Sequence, residues 1–323
     1  MGDPNVAGIH YGYWGKAHQG GSDEAPTYHL LAYHSLDVAG VGHALLERDQ
    51  LLLGRLEKAS GLSAETLLPL IGFLFAIHDV GKFSVRFQNL RPDVMGFLQP
   101  DRGCGQGYTI KHDEMGYWLW DHILLPELHV RRLLPVHTDD LMDCRDLLAP
   151  LAKAVLGHHG IPPNPNPNAF DCFESVDREA ALSFVSLLAE MFAVGGRGLI
   201  PLEPFEQREA DHKRLSWMLA GMSVLSDWLG SDSRRFPHVA ERIPLGDYWE
   251  NVALPRAREA VDKSGVLPPR PRAVQGFKAL LPHLGGSKLT PLQTHAATTD
   301  LPAGPQLHIY EDATGSGKTE AAI

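Results

Sequence analysis

Apolar positions recur at steps of three and four from Tyr28 onward, through Leu30, Leu31, Leu36, Val38, Val41 and Leu45, which is the spacing of one helix face. A second run, Ala64 to Asp79, is apolar on nearly every side; Ser63 is placed to cap its start and Gly81 to close it. Helical spacing returns over 112–125, 144–157, 176–193 and 211–229, whereas 85–110, with Pro92, Pro100 and several glycines, is loop-like. No convincing period-two strand occurs before residue 300, so residues 1–230 are predicted to be all-α. From 231 to 284 the prolines Pro237, Pro244, Pro255, Pro268, Pro269 and Pro271 break the chain into short pieces, as in a linker or wrapping segment. Gln306 to Tyr310 (QLHIY) is predicted to be a buried strand that runs into DATGSGKTEAAI. The expected fold class is therefore mostly α, a helical bundle over 1–230, followed by a short α/β piece over 285–323.

Composition changes this picture little. At 323 residues and 44% hydrophobic, the chain can bury one large core or two modest ones. A formal net charge of −10 argues against a generic DNA-coating protein. Between Arg234 and Lys288, however, ten Lys and Arg stand against five Asp and Glu, so the C-terminal third could present a basic face. Cys104, Cys144 and Cys172 form no CxxC pair, which fits a reducing cytoplasm. No signal pattern is evident and no run approaches the ~18 apolar residues of a membrane span. A cytoplasmic protein without a membrane partner is expected.

The count that stands out is 17 histidines. The apolar run LLPLIGFLFAIHDVGKF ends in His78 and Asp79, and a buried carboxylate must be paired or bound to metal. A core histidine beside a capping aspartate is the plainer alternative for this dipeptide alone. Other segments repeat the chemistry: His34 in YHSLD, His112 in KHDE, His158 and His159 between Gly157 and Gly160, and Asp227 in LSDWL. A lone helical histidine is more often structural, but five such sites on predicted helices are hard to assemble by chance. Neutral imidazoles with carboxylates suit first-row divalent ions, and a carboxylate can bridge two of them. Ions ~3.5–4 Å apart clamp both oxygens of an in-line displacement. His29, His43, His122, His129 and His137 lie in amphipathic or charged stretches and are expected at the surface or behind the site. Asp37, one turn after His34, is expected to orient a ligand imidazole.

Taken in order, His34, His78-Asp79, Lys82 in HDVGKF, His112, His158-His159 and Asp227 resemble the histidine–aspartate (HD) nuclease domain of the CRISPR-associated helicase-nuclease of type I interference systems. The segments YWGK, HLLAYHSLDVAGVGHALL, HDVGKFSVRFQ and SDWLGSD look most like its type I-E branch. The resemblance covers essentially the whole chain. It implies that His34, His78, Asp79 and Asp227 hold a first metal and that His112, His158 and His159 hold a second, with Asp79 as the bridge. It also implies that Asp79 and Lys82 are catalytic, Lys82 by stabilising phosphate or developing negative charge. The two divalent ions would be Fe, Mn, Co, Ni or Mg.

Thr314-Gly315-Ser316-Gly317-Lys318-Thr319 is a phosphate loop in which backbone N–H groups cradle phosphates, Lys318 reaches the β- and γ-phosphates and Thr319 binds Mg²⁺. Asp312 replaces the first glycine of the usual spacing. Thr290-Pro291-Leu292-Gln293 is similar to the adenine-reading Q motif of superfamily-2 helicases, with Gln293 as the reader. The sequence runs only to Ile323, so residues 285–323 are expected to be the truncated start of a helicase domain, either folded against the first domain or poorly ordered. Gln293, Gly315, Gly317, Lys318 and Thr319 would bind ATP only in the intact family member, and no ATPase or helicase activity is expected here. The leading function is a metal-dependent endo- or exodeoxyribonuclease preferring single-stranded DNA, recruited to the crRNA-guided Cascade complex and acting as a monomer. The alternatives are an HD phosphohydrolase acting on nucleotides and a metal-stabilised docking module without catalysis.

Overall fold

The computed structural model describes residues 8–17, 27–103, 107–196, 200–268, 277–282, 288–301, 304 and 306–322. Cys104 lies outside them; Cys144 and Cys172 are buried free thiols. The chain divides into two compact units, Met1–Pro268 and Pro269–Ile323.

The first unit is a helical bundle: α1 (Leu31–Arg48), α2 (Gln50–Ser60), α3 (Ala64–Ala76), α4 (Val85–Gln88), α5 (Pro92–Leu98), α6 (His112–Leu119), α7 (Leu125–Val130), α8 (Leu141–Leu156), α9 (Ser175–Met191), α10 (Phe205–Gly230), α11 (Leu245–Tyr248) and α12 (Leu254–Ser264). A π turn over Trp120–Leu124 joins α6 to α7, and another over Trp249–Ala253 joins α11 to α12. Helix α1 is the axis of the unit, packed on α3, α10 and α12. Its glycines permit the closest approaches. A Cβ on Gly42 would fall 2.4 Å from the Phe75 ring of α3, and one on Gly40 would fall 3.2 Å from Ala257 Cβ of α12. Phe73, Leu74, Phe75 and Ala76 of α3 are all at most 1% exposed, and burying each large side chain contributes ~1.5–3 kcal/mol.

Several expectations are corrected. A two-stranded antiparallel hairpin, β1 (Trp14–Ala17) with β2 (Tyr28–Leu30), precedes the first helix, so α1 starts at Leu31 and not at Tyr28. Strands of four and three residues are too short to show alternation. The loop-like region 85–110 contains α4 and α5, whose start signals are Ser84, which caps α4 by accepting from Arg86 N, and Pro92 at the head of α5. Ser63 does not cap α3 with its side chain; the Glu57 carboxylate accepts from Ala64 N at 2.8 Å instead. The stretch Ala64–Phe83 is, by length and composition, long and apolar enough to cross a membrane, contrary to the expectation of no such run, and 89% of its apolar window is buried inside the protein.

The 231–284 segment is not merely a linker or wrap. Helix α12 covers α1, and Val41, Ala44 and Leu45 form a second apolar cluster with Phe236, Ala257, Ala260 and Val261. The first unit therefore extends past residue 230, because α1 has apolar surface on the side away from α3 that needs its own cover.

The second unit, taken by itself, contains α13 (Phe277–Leu280), α14 (Pro291–Thr298) and α15 (Lys318–Ala321). Residues 306–310 do not form the predicted buried strand: Leu307 is 87% and Ile309 75% exposed. An extended segment becomes a strand only when a neighbour satisfies its backbone, and none does so among the described residues.

Candidate metal centre

Five elements deliver the histidine–aspartate cluster: the turn after α3, the start of α6 with His112, the end of α8, and helices α1 and α10. Helix α3 ends at Ala76, and two turns present His78 and Asp79 before a 3₁₀ turn, Val80–Phe83, carries Lys82. Gly81 does not act as a left-handed helix cap. Its role is close approach, since a Cβ there would lie 1.9 Å from His112 O and 2.7 Å from Gly116 N of α6. Past the end of α8, Gly157 fits against Lys153 O and Ile161 O, while Gly160 takes φ +92°. Between them His158 is buried and His159 exposed. Helices α1 and α10 contribute His34 and Asp227.

Asp79 sits at the centre with no solvent exposure of its side chain, and its two oxygens face different partners. Oδ2 lies 3.1 Å from His34 Nε2, 3.3 Å from His78 Nε2 and 2.5 Å from Lys82 Nζ. Oδ1 lies 3.4 Å from His112 Nε2 and 3.7 Å from His158 Nε2. Asp227 Oδ1 completes the first side at 3.5 Å from His34 and 3.8 Å from His78. His159 Nε2 completes the second at 3.0 Å from His112 Nε2. The donor atoms of His34, His78 and Asp227 fall within 4.8 Å of one another, as do those of His112, His158 and His159, and those of His78, Asp79 and His158.

The donor set fits divalent ions. Both ring nitrogens of His34, Nε2 of His78 and both oxygens of Asp79 are buried without hydrogen-bond partners. Leaving such groups unsatisfied costs ~1–3 kcal/mol each, more for a charge, which a bound cation would offset. Lys82 is a close ion contact to Asp79 and not a well-angled hydrogen bond. The ring Nδ1 atoms of His78 and His158 lie 2.8 Å from Phe75 O and 3.3 Å from Val155 O, so each can donate there and keep Nε2 as a lone-pair donor.

Protonation states agree with this. Burial pushes His112 down to about 3 and His158 down to about 2, and burial together with the Lys16 charge lowers His34. Burial would raise Asp79, but Lys82, His78 and the contacts with the neighbouring imidazoles hold it well below the usual carboxylate range. Burial also opposes ionisation of Asp227, and His34 and His78 outweigh it. At neutral pH His34, His112 and His158 are neutral and Asp79 and Asp227 ionised, the forms that ligate metal.

All seven expected ligand residues converge, with Lys82 beside them. Three neighbours were not anticipated. Tyr108 accepts from His112 N at 2.8 Å and meets His112 Nδ1 at 3.0 Å, fixing that ring. Asp113 Oδ1 stands 3.7 Å from His112 Nε2. Phe87 lies under the Lys82 ammonium, 5.3 Å from ring centroid to Nζ. Tyr108, four residues before His112, was the legible signal; the other two depend on packing. Asp37 does not orient His34. It bonds His29 Nε2 at 2.9 Å and accepts from the Tyr248 hydroxyl at 3.0 Å, which makes His29 a buried structural residue and not a surface one.

The comparisons with known proteins agree with the geometry. The family described as "Cas3, HD domain" matches residues 14–236, a span that contains every member of the cluster. The chain belongs to the Cas3 HD domain family. The CRISPR-associated endonuclease/helicase Cas3 of Escherichia coli (strain K12) is 26% identical over 333 residues, covering 96% of this chain and 36% of that protein. Two solved structures share the fold: one described as a CRISPR-associated protein (23% identity, TM-score 0.68, 100% of this chain and 34% of that one) and T. fusca Cas3 with ATP (21%, 0.62, 96% and 33%). This chain thus spans about a third of the length of these relatives.

In the second unit the loop glycines Gly315 and Gly317 adopt φ +82° and +80°. Lys318 Nζ turns back onto Asp312 O at 2.7 Å and Ala313 O at 2.8 Å, and Thr319 is exposed. Gln293 is held inside the fold: its amide accepts from Thr290 N at 3.0 Å and donates to Gly317 O at 3.3 Å.

Proposed function

We propose that this chain carries a metal-dependent deoxyribonuclease centre that hydrolyses DNA phosphodiesters, preferring single strands, in type I CRISPR interference. The observation that carries the proposal is the division of one buried carboxylate, Asp79, between two histidine groups. His34, His78 and Asp227 would hold one divalent ion (Fe, Mn, Co, Ni or Mg), and His112, His158 and His159 the other. Such ions supply Lewis acidity to a phosphodiester and acidity to a water molecule. Asp79 then shares its two oxygens between the groups, while the carbonyls of Phe75 and Val155 fix two ligand rings. Lys82, buried over Phe87 and beside Asp79, would hold positive charge where a phosphate oxygen would come. The centre is deeply buried at His34 and His78 and opens towards solvent at His159. Recognition through phosphate and metal tolerates any base sequence.

In the intact relative, ATP bound by a complete motor and docking to the crRNA-guided Cascade complex would feed strand to this centre; this chain by itself is proposed to act as a monomer without ATPase activity. The test is to incubate the purified chain with circular single-stranded DNA or with dNTPs, with and without Mn²⁺, Co²⁺ or Ni²⁺. Metal-dependent loss of the circle that Asp79→Ala abolishes is expected. Phosphate release from dNTPs with the circle intact would replace this function with nucleotide hydrolysis. Two bound ions without either activity would leave only a docking role.

A further inference from the structure

Lys16 belongs to no ligand set, yet its strand, β1, packs on α1 beside His34. The preceding residue, Gly15, is seated on α1 where His34 arises, since a Cβ there would fall 2.9 Å from Leu31 Cα and 3.2 Å from His34 Cβ. One buried carboxamide ties this strand to the Lys82 turn. Gln88 accepts from Trp14 N at 3.1 Å and donates to Trp14 O at 3.0 Å and to Lys82 O at 2.7 Å. Trp14 Nε1 donates to Gln88 O, and the Trp14 ring lies 4.8 Å from Phe87, the ring beneath the Lys82 ammonium. The strand bearing Lys16 and the turn bearing Lys82 therefore move as one frame.

Within that frame the two cations are treated differently. Lys82 contacts Asp79, whereas the ammonium of Lys16, a residue only partly exposed, makes no hydrogen bond or ion pair with any described residue. Burial and the Lys82 charge lower the Lys16 pKa, and Asp227 and Asp79 act against that, which puts its ammonium within the electrostatic reach of all three. A partly desolvated cation beside another cation and lacking a protein counter-ion is matched by an anion brought from outside.

We propose that Lys16 is a substrate-positioning residue that binds a backbone phosphate of single-stranded DNA next to the phosphodiester at the metal centre, paired across Gln88 with Lys82. This rests on the nuclease function proposed above. The experiment uses the whole chain and its Lys16→Ala, Lys16→Gln and Lys16→Arg variants, with a dT oligonucleotide as probe. It measures binding against salt concentration, Mn²⁺-dependent cleavage kinetics, and bound Mn²⁺ by elemental analysis.

Removal of one phosphate contact is expected to flatten the slope of log K against log salt by ~0.7, the single-strand value per phosphate. KM should rise more than kcat falls in Lys16→Ala and Lys16→Gln, Lys16→Arg should restore both, and Mn²⁺ content should stay at the wild-type level. An unchanged slope in Lys16→Gln, with wild type cutting DNA normally, would overturn the Lys16 role and leave the nuclease intact. Loss of Mn²⁺ or of thermal stability with an unchanged slope would make Lys16 a structural residue and also overturn it. Failure of wild type to bind or cut the oligonucleotide would remove both proposals together.

Discussion

Gly81→Ala probes the link between packing and metal loading. The added Cβ would lie 1.9 Å from His112 O, 2.8 Å from His112 C and 2.7 Å from Gly116 N, all backbone atoms of α6 that cannot swing aside. An unstrained carbon–oxygen contact is about 3.3 Å, so the turn and the helix must part by about 1.4 Å. Overpacking of this kind costs about 1–3 kcal/mol of stability. The same displacement carries His112 away from Asp79 Oδ1, now 3.4 Å distant, whereas metal–ligand distances tolerate only about 0.2 Å. Gly81→Ala should therefore weaken one of the two proposed Mn²⁺ sites by about tenfold or more. The other, built on α1, α10 and His78, should keep its affinity. Titration calorimetry with Mn²⁺, run beside thermal unfolding, reads both effects. Gly116→Ala is the control, because its Cβ meets Gly81 N at a milder 3.1 Å. Two sites of wild-type affinity in Gly81→Ala, or equal weakening of both, would refute the reasoning.

Other predictions follow from buried polar groups. The His10 ring is buried without hydrogen-bond partners, and burial, aided by the Arg242 charge, pushes it down to about 4. Between pH 6.5 and 4 the unfolded chain therefore binds the extra proton, and stability falls as pH drops through that window. His10→Phe, which keeps a ring between Tyr11 and Phe184, should be more stable than wild type at pH 5 than at pH 7.5 by on the order of 1–2 kcal/mol in urea unfolding; equal differences at both pH values would contradict it. Tyr248→Phe removes the hydroxyl that donates to Asp37 and should cost about 1–3 kcal/mol without changing Mn²⁺ affinity, since Asp37 serves His29 and not His34. Weakened Mn²⁺ binding in that variant would count against this separation.

The helices were legible wherever one face meets the core, as in α8 and α9, because burial imposes a 3.6-residue period on the sequence. The same rule fails for α12, which lies beyond several prolines, and for the hairpin of β1 and β2, whose strands are too short to carry a period. Ser63 shows a different failure: the residue type was right for a cap, but the acceptor came from Glu57 in the preceding helix. Polar partners chosen across space leave no mark on local spacing.

By itself the sequence determined the composition of the centre, since histidine and aspartate in apolar helices are costly unless something binds them. It named His34, His78, Asp79, Lys82, His112, His158, His159 and Asp227, and the ordered set carried the family resemblance. The resemblance implied how they divide, and the tertiary structure supplied the distances, with Asp79 Oδ2 facing His34 and His78 and Oδ1 facing His112 and His158. Asp79 Oδ1 reaches His112 because Gly81 lets α6 touch the turn that carries Asp79. The tertiary structure also assigned Asp37 to His29 and tied the β1 strand to the Lys82 turn through Gln88. These outcomes depend on contacts between residues far apart in the chain, fixed by close packing at atomic distances that residue order does not encode locally.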